Sequence, residues 1–367
     1  MNVTKSQCPY CGVGCGLKMR PKNSVSDDKW LVSGDRDTPS TLGKLCVKGA
    51  TVCETLKDGR LKEPLYRKNL NEEFKKISWD ESYEILKENI LSSIKNYGPD
   101  SIAMYGSGQF HTEDYYIAQK LLKGAIGTNN FDANSRLCMS SAVAGYNRSF
   151  GSDGPPCCYE DIDHCSSIFL IGTNTAECHP VLFDRIKKRK RNVNDNLKVI
   201  VIDPRETETA SIADFYLQIA SGTDLFLFIG IANYLYKNKL TEQNFIEKST
   251  ENYDHFVKHI QTWDLKKISE ICNISKQAII DIAKLWGESK NVLSLWSMGL
   301  NQRQEGTAAV NGLINLHLMT GQVGKKGAGP FSLTGQPNAM GGREAGGLSH
   351  LLPGYRFVKN KIDRNEI

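Results

Sequence analysis

The 367-residue chain is poor in the features that mark several protein classes. Long apolar runs are missing. The longest, "LFLFIGIANYLY" from Leu225 to Tyr236, is too short to span a bilayer and is broken by glycine and asparagine, so no membrane insertion is expected. The opening "MNVTKSQCPYCG" has neither an apolar signal core nor a twin-arginine pair, which makes a cytoplasmic location the expectation. Excess charge of one sign is small: 46 Lys and Arg against 41 Asp and Glu leave +5, which argues against a nucleic-acid binder. No fixed-period repeat is present, so solenoids and propellers are excluded. A nicotinamide fingerprint is also absent, because "GSGQFH" lacks the third glycine and the placed acidic residue.

Cysteine, by contrast, is plentiful. Eleven cysteines in a reducing compartment read as metal ligands or buried thiols rather than disulfides. "CPYCGVGC" sets Cys8, Cys11 and Cys15 close together, and Cys46 follows after 30 intervening residues in "GKLCVKG". Three close cysteines and one distant one fit a cubane iron–sulfur cluster, the remote thiolate capping the fourth iron. Structural zinc, which more often uses two separated CxxC pairs, and unliganded thiols remain open on spacing alone. Cys53 reads as a spectator in a following helix. Lys48 is either a surface lysine or a bridge from the cluster to a neighbouring cofactor.

Further along, "SWDESYEILKENILSSIKNY" predicts a helix capped by Ser78 and Glu81, with Tyr83, Leu86, Ile90, Leu91 and Ile94 on one apolar face. "DSIAMYGSG" predicts a buried strand, and "EDYYIAQKLLKGAIG" a helix closed by glycine. "SSIFLIGTNTAECHP", "PVLFDRIKKRKR" and "LKVIVIDPR" read as strand, helix and strand. "DFYLQIASGTD" and "NVLSLWSMGLNQ" repeat the device of an apolar strand followed by a glycine turn. This pattern predicts an α/β fold with a parallel sheet and ligand contacts at the carboxyl ends of its strands. The expected units are a cysteine module at 1–60, an α/β domain at 61–160, a dinucleotide-binding α/β domain at 161–320 and a glycine-rich segment at 321–367. The basic run Lys187–Arg191 reads as the solvated end of a helix, with a docking patch for an acidic partner as the alternative.

Cys138 in "NSRLCMSSAVAGY" has no cysteine within three positions, and by itself reads as a buried structural thiol. His111, His164 and His179 exist, but nothing in the sequence pairs one with it as a base for a nucleophile.

Taken in order, "CPYCGVGC", "CVKG", "GSGQ", "NSRLCMSSAV", "IGTNTAECHPVLFDRI", "VIDPRET", "SGTD", "SMGLNQ" and "TGQPNAMGGRE" resemble the molybdenum-bis(molybdopterin guanine dinucleotide) oxidoreductases. That family includes nitrate reductases and formate dehydrogenases. The run from Leu313 to Arg356 looks most like the assimilatory, cytoplasmic nitrate reductases. The resemblance implies a [4Fe-4S] cluster on Cys8, Cys11, Cys15 and Cys46, and molybdenum on the Cys138 thiolate. It places Lys48, Gln109, Asn134, Gly172, Thr173, Asn174, Glu177, Asp203, Arg205, Gly222, Asp224, Met298, Gly299, Gln302 and Gln336 against the pterin dinucleotides. Asp224 in "SGTD" would accept from a guanine, and Asp203 before Pro204 is also a turn signal. Met139, where the formate dehydrogenases usually carry histidine, favours nitrate over formate as substrate. Electrons would enter at the cluster from ferredoxin, flavodoxin or an NADH-linked subunit and pass by Lys48.

The family continues for several hundred residues beyond the point where "YRFVKNKIDRNEI" stops. The resemblance therefore implies a truncated chain without the closing C-terminal β-barrel domain. Such a chain should expose apolar surface and require a second chain for activity. The alternative is a non-catalytic fragment that holds the cluster or cofactor.

Overall fold

The computed structural model describes residues 3–21, 30–56, 59–192 and 194–366. Strands Thr4–Gln7, Gly16–Pro21 and Trp30–Gly34 form an antiparallel sheet. Cys8, Cys11 and Cys15 occupy the connection between the first two strands, and Cys46 caps the short helix Val47–Ala50. The first sixty residues are rich in cysteine and glycine and show little helical periodicity, a pattern that suggests a loop-rich module without a core of its own. Instead Cys8, Val13, Cys15 and Leu17 are buried in one cluster with Ile162, Ile168, Val199 and Leu293. A stretch with few apolar residues of its own shares the core of its neighbour.

That neighbour is a five-stranded parallel sheet in the order Phe215–Leu217, Lys198–Ile202, Ser167–Ile171, Val292–Trp296, Gly329–Ser332. Parallel strands covered on both faces need near-continuous apolar runs, as in "SIFLI" and "VLSLW", where every residue is buried. Side chains alternate between two cores. Ile168, Leu170, Val199 and Val201 face the cluster shared with the cysteine module. Phe169, Ile171, Ile200 and Ile202 face a second cluster, packed with Phe228, Ile282, Leu313 and Ile314 from the helices Asp224–Lys237, Lys276–Glu288 and Gly306–Met319.

The helix Ser135–Phe150 sends Cys138, Met139, Ala142 and Tyr146 into this second core, across the boundary expected at 160. Likewise Gly329–Ser332 joins the sheet across the boundary expected at 320. The Tyr146 hydroxyl ties the two, accepting from Ser332 N–H at 2.9 Å.

Two expectations are corrected. The helix Trp79–Tyr97 starts as read, with Ser78 Oγ accepting from Glu81 N–H at 3.1 Å, yet none of its residues is buried. Its apolar face, including Tyr83, Leu86 and Leu91, is open to solvent. Among the described residues strand Met104–Gly106 pairs only with Phe131–Ala133, and Tyr105 is 66% exposed rather than buried. Two parallel strands offer too little sheet to cover both faces. The helix Thr112–Gln119 runs on into a wide π-type turn, Lys120–Ile126, closed by Gly127 as expected. In the basic run, Lys187, Arg189 and Lys190 pair with Glu208, Asp195 and Asp214, which fits the helix-end reading for these three. Among the described residues no helix is long and apolar enough to cross a membrane.

Burial predicts an asymmetry in urea unfolding. Leu313→Ala should cost about 2–5 kcal/mol. The double substitution Tyr83→Glu, Leu86→Glu should stay within about 0.5 kcal/mol per site, as at an exposed position.

Candidate redox and cofactor site

All five strands of the main sheet are parallel, so the turns at their carboxyl ends lie along one edge. Gly172, at φ 53°, follows the central strand, and its carbonyl accepts from Gly299 N–H at 3.0 Å. A Cβ on Gly299 would fall 2.6 Å from that oxygen, so only glycines let these two turns cross. Thr173 is buried, and its hydroxyl lies 3.2 Å from that of Thr175. Asn174 Oδ1 accepts from the Thr209 hydroxyl, while Glu177 is exposed on the short helix beyond. Asp203 Oδ1 accepts from Arg205 N–H at 2.9 Å, the turn its sequence indicates, and burial pushes its pKa up. Gly222 lies in the turn before the helix Asp224–Lys237, which Asp224 opens; Met298 opens and Gln302 ends the short helix Met298–Asn301 after Trp296; Gln336 follows Ser332.

Asp224 is not a free acceptor. Its carboxylate is buried and holds Arg303 Nη1 at 2.6 Å, and the same guanidinium donates to Gly222 O. Burial raises the pKa of Asp224, and Arg303 opposes the rise. Sequence reasoning missed Arg303, which stands one residue beyond the quoted "SMGLNQ".

The short loop Thr334–Gln336 joins these turns to the other parts of the site. Gly12 of the cysteine module donates its N–H to Gly335 O at 2.9 Å, and a Cβ on Gly12 would fall 1.9 Å from Thr334 O. His179, fully buried, has Nε2 2.9 Å from Thr334 O. The N–H of Gly335 faces the Cys138 sulfur. Cys138 is 7% exposed, and burial pushes its thiol up, against that N–H and the charge of Arg343. Asn301 Nδ2 donates to Cys138 O at 2.7 Å, and Gln302 Nε2 to Leu137 O at 2.8 Å. Asn134 Oδ1 accepts from Gly108 N–H at 2.6 Å, and Gln109 Nε2 donates to Pro9 O at 2.8 Å. The loop thus has Cys138 on one side and the cysteine module on the other, with Gly108, which Asn134 holds next to Gln109, packed against Gln336. Met139 is buried beside Cys138 and lines a small gap shared with Asp153 and Arg343.

Within the cysteine module Cys8 N–H donates to Cys15 O at 2.8 Å, and Cys8, Cys11, Cys15 and Cys46 lie within each other's electrostatic reach. Burial raises the Cys8, Cys11 and Cys15 thiols, that of Cys15 to about 12. Such thiols become thiolates when metal cations replace their protons. Among the described residues no three His, Cys, Asp or Glu side chains converge on a single ion. Lys48 is exposed, with its charge felt at Cys8 and Cys11. Cys53 is buried, 3.7 Å from Met19 Sδ.

Arg343 is the main residue missed by sequence reasoning, although the quoted "TGQPNAMGGRE" contains it. It is 5% exposed and paired with the buried Asp153 at 2.7 Å. Both line a cavity of about 490 Å³ that also takes in Ser135, Arg136 and Ser140 on the Cys138 helix, and His350. Lys123 secures the segment after Arg343, donating to Gly346 O at 2.7 Å, Leu348 O at 2.8 Å and Leu351 O. The buried atoms Gln336 Oε1, His179 Nδ1 and Asn301 Oδ1 have no protein partner. With the N–H groups of the strand-end turns they fit a large polar, anionic cofactor.

A four-cysteine module and a buried lone thiol thus meet the same loop at one edge of a parallel sheet. Residues 60–367 match the family described as molybdopterin oxidoreductase, and residues 1–58 the molybdopterin oxidoreductase Fe4S4 domain; the chain belongs to this family. The cofactors of these domains are molybdopterin and a 4Fe-4S cluster. A nitrate reductase of Synechocystis sp. is 53% identical over 369 residues, spanning 100% of this chain and 52% of that protein. A periplasmic nitrate reductase of Desulfovibrio desulfuricans is 42% identical, spanning 99% of this chain and 49% of that protein. The chain thus spans about half the length of these curated relatives. The acetylene hydratase from Pelobacter acetylenicus has the same fold, with a TM-score of 0.78 at 21% identity, covering 89% of this chain and 44% of that one.

Two outcomes test the geometry. After anaerobic reconstitution, alanine at Cys8, Cys11, Cys15 or Cys46 should abolish the charge-transfer absorbance and bound iron, whereas Cys53→Ala should keep both. Lys123→Met leaves three carbonyls without their donor and should cost about 2–4 kcal/mol in urea unfolding.

Proposed function

We propose that the protein this chain represents reduces nitrate to nitrite, with electrons entering at the 4Fe-4S cluster. The observation that carries the reading is the Cys138–Met139 pair set between Gly335 N–H and the buried guanidinium of Arg343. The curated relatives described as nitrate reductases support it. When bound, the molybdenum cofactor supplies oxygen-atom transfer: nitrate, two electrons and two protons give nitrite and water.

The chain's own residues do the rest. Cys138 is the thiolate ligand, and the Gly335 N–H and Arg343 favour its anionic form. Cys8, Cys11, Cys15 and Cys46 hold the cluster, with Lys48 beside it on the electron path. Gln109, Asn134 and Gln336 line the route between cluster and Cys138. Gly172, Thr173, Asn174, Glu177, Asp203, Arg205, Gly222, Asp224, Met298, Gly299 and Gln302 form the dinucleotide cradle. Arg303 pairs with Asp224 and opposes the rise that burial causes in its carboxyl. Arg343, held by Asp153, attracts the nitrate anion to a site shielded from water by Met139. The finer reading is an assimilatory enzyme of the cytoplasm, supplied by ferredoxin, flavodoxin or an NADH-linked subunit.

The chain, joined where necessary to a polypeptide matching the remaining length of its relatives, should reduce nitrate with reduced viologen. Formate oxidation without nitrate reduction would overturn the assignment. Arg343→Ala should lower kcat/KM for nitrate by about 10²–10³.

A further inference from the structure

The surface around Cys46 has a composition unlike the rest of the cysteine module. Leu42 and Val47 flank that cysteine and are 63% and 74% exposed. Leu42 sits at φ 50°, so the backbone carries this aliphatic side chain into water from a strained conformation. Arg36, Lys44 and Lys48 surround the two apolar groups and are exposed. Asp35 and Asp37 pair with Lys5 and Lys18, and among the described residues Arg36, Lys44 and Lys48 make no ion pair. A hollow of about 440 Å³ continues the surface onto the helix Pro180–Arg191, with Leu42 and Lys44 on one wall and Lys188 on the other. Arg185 and Arg189 in that hollow are taken by Asp163 and Asp195, while Lys188 is exposed.

We propose that Arg36, Leu42, Lys44, Val47 and Lys188 form the docking face for a small acidic one-electron carrier protein that reduces the cluster at Cys46. The inference rests on the reading that the module holds a 4Fe-4S cluster. The chemistry is one electron from reduced carrier to oxidised cluster, with no bond made and no proton moved. Nitrate reduction needs two electrons, so a carrier must dock, leave and be replaced for each turnover. Fast, weak docking of this kind uses a small apolar contact within a charged rim. The basic rim selects a carboxylate-rich partner and steers its approach.

Stopped-flow mixing of the full, cluster-reconstituted chain with reduced plant-type ferredoxin tests this. Cluster reduction by the wild-type chain should slow as salt rises. Lys44→Glu with Lys188→Glu should lower the low-salt second-order rate constant at least about tenfold. Lys266→Glu, on the helix Leu265–Cys272, should leave it unchanged. Reduced methyl viologen, which needs no docking face, should reduce wild-type and double-variant clusters at equal rates. Wild-type ferredoxin rates in the double variant, or a wild-type rate insensitive to salt, overturn the proposal. A wild-type chain that takes up no iron overturns the cluster reading beneath it, and the viologen arm shows that failure separately.

Discussion

The close contact between Gly12 and the loop Thr334–Gln336 is the constraint on which the site depends. A hydrogen bond of 2.9 Å and the absence of a side chain at residue 12 let a module of the first sixty residues meet a loop more than three hundred residues later. That loop also reaches Cys138 through Gly335 and His179 through Thr334. The proposed cluster site and the proposed metal ligand are therefore neighbours of the same three residues. Electron transfer needs proximity, and here backbone packing supplies it rather than any long-range charge.

Much of this was legible in the sequence because it is local. The strands around Phe169 and Leu295 are unbroken apolar runs, and the turns after them carry the glycines that crossing backbones require. The spacing of Cys8, Cys11, Cys15 and Cys46 narrows the chemistry before any coordinates. What was illegible is what depends on contacts distant in sequence. Arg303 becomes the partner of Asp224 only when two turns meet at the sheet edge. Arg343 becomes part of the site only when its segment folds back over the Cys138 helix and pairs with Asp153. The helix Trp79–Tyr97 shows the converse: its periodicity is real, but periodicity states which face can be buried, not that a neighbour is there to bury it.

Tyr83, Leu86, Leu91 and Tyr105 are exposed, and the chain spans about half of the curated relatives it matches. The sheet edge around Gly172, Asp203 and Gly299 is by contrast supported by two full cores. The sheet edge is thus held on both faces, while the two-stranded region beside it leaves apolar side chains in solvent.

The most direct measurement is the alkylation rate of Cys138 in a Gly12→Ala chain, followed by peptide mapping, with Cys272, buried in the helical core, as internal reference. A methyl group at residue 12 displaces Thr334 and withdraws Gly335 from the Cys138 sulfur. Gly124→Ala, where an added methyl meets nothing within 4 Å, serves as the control. The account predicts that Cys138 becomes several-fold more reactive in Gly12→Ala while Cys272 keeps its protection, and that Gly124→Ala changes neither. Unchanged protection at Cys138, or a rise shared equally by Cys272, would contradict a shared loop between the two centres.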